Sequence, residues 1–248
     1  MAKAVGLSPY SGHQIWARND IQPHLSRTFK LSQDPQFEEK FGDGIGLSLN
    51  PPNKALVLCC DEKSPGQALE RTQPGLPLGQ GHLRTRTHDY YRHGTLSLFA
   101  ALNYLEGKLV AGTAVQHPHV EWLRLLKPID RETPTDLRIH LIMDHDCTHK
   151  EARVKAWLER KRERFQVHFT PTGSSWMNLV ERFFRDITQE VIREGSFGSV
   201  RPLSAAIITY LAERNEQPRL DRWKAKGEEI LAKIRRAREA QAKVGAGP

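Results

Sequence analysis

Lys54-Ala-Leu-Val-Leu-Cys-Cys-Asp61 is an apolar run that ends on a carboxylate. Residues 55–60 read as a buried strand, because a short continuous apolar run between polar flanks is what such a strand needs. An aspartate placed directly after the run emerges where the strand reaches solvent. The same arrangement recurs in Arg138-Ile-His-Leu-Ile-Met-Asp144. A third carboxylate, Glu181, sits in Ser175-Trp-Met-Asn-Leu-Val-Glu-Arg-Phe-Phe184, which has helical periodicity. If the two strands are neighbours, Asp61 and Asp144 can share an ion, and the helix can bring the third oxygen ligand.

Working outward, residues 95–102 and 108–115 read as two strands joined by a turn at Glu106-Gly107. A helix is expected at 119–126, a strand at 138–143, and a helix at 151–164 with Val154, Trp157 and Leu158 at helical spacing. Residues 165–169 form a further strand, stopped by Thr170-Pro171, and helices follow at 175–193, 200–215 and 224–243. The Gly- and Pro-rich stretch 62–94 is read as a long functional loop. Three consecutive strands, then helix, strand, helix, strand, helix, is the element order of a ribonuclease-H-like fold: α/β, with a mixed five-stranded sheet flanked by helices. At the other end Ser8 is a helix N-cap and Pro9 its first residue, while Pro23 closes the segment. The expected organisation is a partial helix-turn-helix remnant at 1–26, a linker at 27–53, the catalytic domain at 54–215 and a basic helical tail at 216–248.

The formal net charge is +8, and the balance of 38% hydrophobic and 27% charged residues suits a globular protein with one good core. Such a charge favours polyanions, nucleic acid above all, through counterion release. No apolar run approaches the roughly 20 residues that span a bilayer, and the first residues lack the apolar core of a secretory signal. The expected location is therefore cytoplasmic, associated with the nucleoid when bound to DNA, with no membrane partner. Cys59, Cys60 and Cys147 form neither a zinc spacing nor a disulfide framework; Cys59 and Cys60 read as packing residues.

Cutting a phosphodiester needs in-line attack and a sink for the charge that builds on phosphate. Two divalent ions about 3.5–4 Å apart supply both, and Mg2+, a hard ion, takes oxygen ligands and only a few carboxylates. Asp61, Asp144 and Glu181 are thus the candidate metal-binding and catalytic residues, with Mg2+ or Mn2+ as the metal. On a helix whose apolar stripe runs through Trp176, Leu179, Val180, Phe183, Phe184 and Ile187, Glu181 falls about 120° from the stripe centre, at the border of core and solvent. Asn178, one turn earlier, faces the same side and steadies the site. Each acid has an ordinary alternative role, a turn or cap for the aspartates and a solvated face for the glutamate. Asp146 competes with Asp144 and Glu62 with Asp61; the residues abutting the apolar runs are preferred. His145 and His149 lack a third nitrogen or sulfur ligand for zinc, and His149-Lys150 suits phosphate contact or the start of the next helix. Ser174-Ser175 lacks a nucleophile elbow and reads as capping.

Several segments carry a resemblance: Phe29-Lys-Leu-Ser-Gln-Asp-Pro35, Val57-Leu-Cys-Cys-Asp-Glu-Lys-Ser64, Gln67-Ala-Leu-Glu-Arg-Thr-Gln-Pro74, Thr87-His-Asp-Tyr-Tyr-Arg-His-Gly-Thr95, Leu141-Ile-Met-Asp-His-Asp-Cys-Thr-His-Lys150 and Thr170-Pro-Thr-Gly-Ser-Ser-Trp-Met-Asn-Leu-Val-Glu-Arg-Phe-Phe184. Through them the chain resembles bacterial insertion-sequence transposases of the "IS six-thirty" type, in the mariner-like DDE superfamily. The resemblance implies that Asp61, Asp144 and Glu181 form the metal-binding triad, Glu181 following Asp144 at a spacing this superfamily uses. It implies metal-dependent cleavage at the terminal inverted repeats of an element. Attack of the freed 3′ hydroxyl on a target follows, at a TA dinucleotide, with a homodimer handling two ends. It also implies that residues 8–19 are a recognition helix, with Ser11, His13, Gln14 and Arg18 as DNA contacts. Two departures stand out: the family's Asp-Asn is Asp144-His145 here, and only the tail of the family's amino-terminal helices is matched, so a truncated copy is expected. The rival readings are a ribonuclease-H-like nuclease without strand transfer and a catalytically impaired DNA-binding remnant.

Overall fold

A computed structural model of the chain describes residues 6–19, 31–76, 79–80, 83, 85, 87–115, 118–144, 152–221 and 226–245. The chain falls into two compact units, Met1–Lys30 and Leu31–Pro248. The first unit contributes α1, Pro9–Arg18, begun as expected: the Ser8 side chain accepts the backbone N–H of Ser11 at 3.0 Å, and Pro9 opens the helix.

In the second unit five strands form one sheet: β1 Ala55–Arg71, β2 Tyr90–Asn103, β3 Leu109–Ala114, β4 Arg138–Met143 and β5 Phe165–Phe169. Their order is β3-β2-β1-β4-β5. β1, β2 and β3 are antiparallel neighbours, whereas β4 runs parallel to β1 and β5 parallel to β4. This is the mixed five-stranded, ribonuclease-H-like sheet read from the sequence. The β2–β3 turn falls where expected, and Gly107 is obligatory there. Its φ is +71°, and a Cβ would lie 2.5 Å from the Arg219 carbonyl oxygen.

The helices of this unit are α2 Phe37–Leu49, α3 Pro118–Glu132, α4 Ala152–Arg160, α5 Val180–Ile187, α6 Val200–Glu216 and α7 Gly227–Gly245. Alternation along the strands divides the core. Leu58, Cys60, Ile139, Leu141 and Met143 pack under α3 and α4, through Trp122, Leu126 and Val154 among others. Val57, Cys59, Leu98, Ala100 and Ile142 pack under α5 and α6 with Val180, Phe183, Ile187, Leu203 and Ile207. Each fully buried side chain of this size contributes about 1.5–3 kcal/mol, so α5 is firmly seated despite its eight residues. A third cluster joins Phe37, Phe41 and Ile45 of α2 to Met177, with Ile230, Leu231 and Ile234 of α7 against it.

Three expectations are corrected. Residues 62–71 and 90–94 are strand, not loop: β1 and β2 pair all the way from Leu58↔Asn103 to Arg71↔Tyr90. Backbone hydrogen bonds run along this outer ladder, Ala68 and Leu96 are buried on its α5–α6 side, and the register shift between Lys63 and Gly66 accommodates Pro65. The stretch read as a linker holds α2, whose aromatic residues recur one turn apart and are buried. The expected single helix at 175–193 is broken into a 3₁₀ turn, Ser175–Met177, then α5, then a π-helical turn, Thr188–Ile192. Among the described residues no helix is long and apolar enough to cross a membrane.

Candidate functional site

The parallel pairing of β1 with β4 sets Cys59 opposite Ile142. Continuing that register by two residues brings Asp61 level with Asp144, on strands about 4.8 Å apart. Both continue the alternation of Cys59 and Ile142, so both belong to the sheet face that α5 covers. Across the other edge of β1, Asp61 pairs with Ala100, which is buried in the same cluster. Asp61 is 5% exposed, and its Oδ1 accepts the backbone N–H of Glu62 at 2.8 Å. Asp144 is half-buried at the open end of β4.

Glu181 lies in the first turn of α5, where the N-terminal end of the helix dipole favours a carboxylate. It is half-buried. Burial raises its pKa above the ordinary 4.5; the field of Asp144 pushes the same way, and that of Lys63 opposes. The three acids thus gather on one sheet face where β4 ends, with Asp61 inside the longer β1.

Asn178 does not sit on the helix with Glu181 as the periodicity suggests. It is the joint between the 3₁₀ turn and α5, with φ −82° and ψ 110°. Its Nδ2 donates to the Cys60 carbonyl oxygen at 2.8 Å, and its side chain is fully buried. It therefore pins the start of α5 to β1 beside Asp61. Its Oδ1, also buried, has no hydrogen-bond partner.

Of the competing acids, Glu62 is on the opposite strand face and accepts the Ser97 hydroxyl at 2.8 Å. Asp146, His145, His149, Lys150 and Cys147 lie outside the described residues. Cys59 and Cys60 are fully buried; burial pushes the Cys59 thiol up to about 12 and Cys60 well above its usual range, which leaves them as packing groups. In α1, Ser11, Gln14 and Arg18 fall within one 60° sector at 100° per residue, while His13 lies on the far side. The Ser11 Oγ is within 2.9 Å of the capping Ser8 Oγ.

Two groups were not singled out from the sequence. Lys63 is legible only once β1 is known to continue beyond Asp61, because its charge otherwise belongs to a loop. Asp34 is buried, and its carboxylate accepts from Lys40 Nζ and from the backbone N–H groups of Gln36 and Thr172, each at 2.9 Å. It ties the entry to α2 to the turn that leads into Ser175 and Asn178.

Among the described residues no three His, Cys, Asp or Glu side chains stand close enough to enclose an ion by themselves. The acids form an open face, not a cage. That arrangement, with hard oxygen donors and a buried amide oxygen lacking a partner, fits Mg2+, which keeps several waters and takes only one or two protein carboxylates.

Residues 56–204 match the family model described as DDE superfamily endonuclease. No match was found among curated protein sequences. The fold is similar to that of the Mos1 mariner paired end complex with Mn, at 14% identity and a TM-score of 0.59, over 85% of this chain and 65% of that one. The paired end complex with Mg gives 12% identity and a TM-score of 0.60, over 88% of this chain and 67% of that one. The Mos1 strand transfer complex gives 12% and 0.56, over 96% and 69%. The chain thus spans about two thirds of the length of these structural relatives.

Proposed function

We propose that this chain, which belongs to the DDE superfamily of endonucleases, is a transposase that cuts DNA at the ends of an insertion sequence of the "IS six-thirty" type and joins them to a target. The observation that carries the reading is the convergence of Asp61, Asp144 and the first turn of α5 on one sheet face. In this reading Asp61, Asp144 and Glu181 hold the divalent metal, Mg2+ or Mn2+. Bound there, a pair of ions supplies activation of the attacking hydroxyl and a sink for charge on the leaving oxygen. Asn178 keeps α5 in register with β1, so that Glu181 and Asp61 stay at a fixed spacing. Burial of Asp61 limits the water that competes for its oxygens. The basic chain tracks the DNA backbone, α1 contributes Ser11, Gln14 and Arg18 to end recognition, and a homodimer holds two ends for insertion at TA. The similarity to mariner Mos1 paired end complexes supports DNA ends as the substrate class.

The test is a labelled duplex carrying the element's inverted repeat, incubated with Mn2+ and a target plasmid. The wild-type chain is expected to cut the end and to produce joined molecules. Asp61→Asn and Glu181→Gln are expected to bind the duplex normally and cut nothing. Normal cleavage by either variant would overturn the assignment, and cleavage without joining would favour a nuclease instead.

A further inference from the structure

β1 carries one more chemical group on the face of the acids. Val57, Cys59 and Asp61 alternate onto the face covered by α5, and Lys63 is the next in that series, before the register shift that follows it. Its cross-strand partner is Leu98, 1% exposed and packed in the same cluster. Lys63 therefore stands one strand repeat, about 6.6–6.8 Å, beyond Asp61 on the same side. It is half-buried, and its charge acts on Glu181 in the opposite sense to that of Asp144. None of the ion pairs of the described residues includes Lys63. A half-buried ammonium whose charge acts on this open acidic face, without a carboxylate at ion-pair distance among the described residues, is a group whose anionic partner comes from outside. Lysine suits phosphate as a compact point charge on a flexible stem.

We propose that Lys63 is a catalytic residue: its ammonium touches a non-bridging oxygen of the phosphodiester that the acidic cleft cuts. This rests on the reading of the cleft as a phosphoryl-transfer site. The ammonium makes and breaks no bond in the step. It offsets the charge that the three carboxylates present to an incoming phosphate, and it stabilises the added negative charge as the attacking oxygen bonds to phosphorus and the bridging oxygen leaves. Such a donor acts on charge that develops during reaction, so its removal lowers the cleavage rate more than the affinity.

The experiment uses the full chain, as wild type, Lys63→Gln and Lys63→Arg. Two labelled inverted-repeat duplexes serve as probes, one with normal phosphates and one with a single neutral methylphosphonate at the scissile position. Binding is measured by anisotropy in Ca2+, and single-turnover cleavage in Mn2+. Lys63→Gln should reduce the salt slope of binding to the normal duplex by about 1 and slow its cleavage about 10²–10³-fold. Lys63→Arg should recover most of both. On the methylphosphonate duplex wild type and Lys63→Gln should bind alike, since the charge that Lys63 meets is gone. A Lys63→Gln deficit in binding of equal size on both duplexes would mean a structural role and overturn the inference. So would cleavage of the normal duplex at the wild-type rate. A wild-type chain that cuts nothing, yet shows the charge-specific binding difference, would leave the Lys63 contact standing and sink the phosphoryl-transfer reading instead.

Discussion

Replacing Asp34 by alanine tests whether the candidate site is mounted from outside the sheet. The Asp34 side chain is 4% exposed and that of its partner Lys40 19% exposed, so the pair is well shielded. Burial alone would raise the Asp34 pKa, but the Lys40 hydrogen bond and the N–H groups of Thr172 and Gln36 outweigh it and hold the carboxyl far below the usual range. Alanine removes the acceptor from all three donors. Breaking a buried pair costs about 3–5 kcal/mol, and the two orphaned amides fall within that figure, not on top of it. Asp34→Asn keeps one carbonyl acceptor and should lose less, about 1–3 kcal/mol. Urea unfolding of the full chain at neutral pH, read from midpoints at constant slope, gives both values. The sign of the pH effect follows from the depressed carboxyl. Its stabilisation is complete above the unfolded value of 3.8 and is lost as pH falls through the folded value. The gap between wild type and Asp34→Asn should therefore close only in strong acid. A loss under about 1 kcal/mol for Asp34→Ala, against the cost expected of a buried pair, would refute the mount, as would a gap that ignores acid.

Asn178→Ala should cost about 1–3 kcal/mol by stranding the Cys60 carbonyl; it should also weaken Mn2+ binding, read by calorimetry, because α5 loses its tie to β1. Glu181 has a raised pKa, so the folded chain holds that proton more tightly than the unfolded chain. Stability from the protonated acid is present below the unfolded 4.5 and is lost as pH rises through the folded value. Glu181→Gln should therefore gain stability relative to wild type across that rise, and an unchanged difference would contradict the burial of this group. His140 is 5% exposed, with its Nδ1 3.0 Å from His168 Nε2; burial, then the neighbouring imidazole, lowers its pKa. Its contribution is whole above the ordinary 6.5 and is lost as pH falls through the folded value, so His140→Gln should flatten the stability profile below pH 6.5.

Two strands were readable to the residue: Arg138–Met143 through burial that leaves an apolar run, and the edge strand Phe165–Phe169 through its alternation of apolar and polar residues before Thr170-Pro171. The outer β1–β2 ladder was not. Tyr90 and Tyr91 are exposed at its far end, and its polar residues pair across the strands, Glu62 with Ser97 and Glu70 with His93, which leaves no periodic apolar signal. In α2 the buried Phe37, Phe41 and Ile45 do recur one turn apart, but Gly42, Gly44 and Gly46 each lower helix propensity by about 1 kcal/mol against alanine. Tertiary packing on Met177 overrides that preference. The break at Asn178 is likewise tertiary: its amide is satisfied by a carbonyl 118 residues away in the chain.

The same distinction explains which parts of the candidate site could be seen in advance. Asp61 and Asp144 stand where apolar runs stop, and a carboxylate at such a boundary is conspicuous in one dimension. Glu181 is marked by the stripe that anchors its helix. Lys63 and Asp34 have no such marker, since each sits in a charged stretch that reads as surface. Lys63 becomes part of the acid face because a backbone ladder extends the alternation of β1 past Asp61. Asp34 becomes structural because two nearby donors and one from the distant turn at Thr172 meet at one carboxylate. Groups that act through burial of their own run can be read from sequence, whereas groups recruited by pairing with a distant segment need the register between segments.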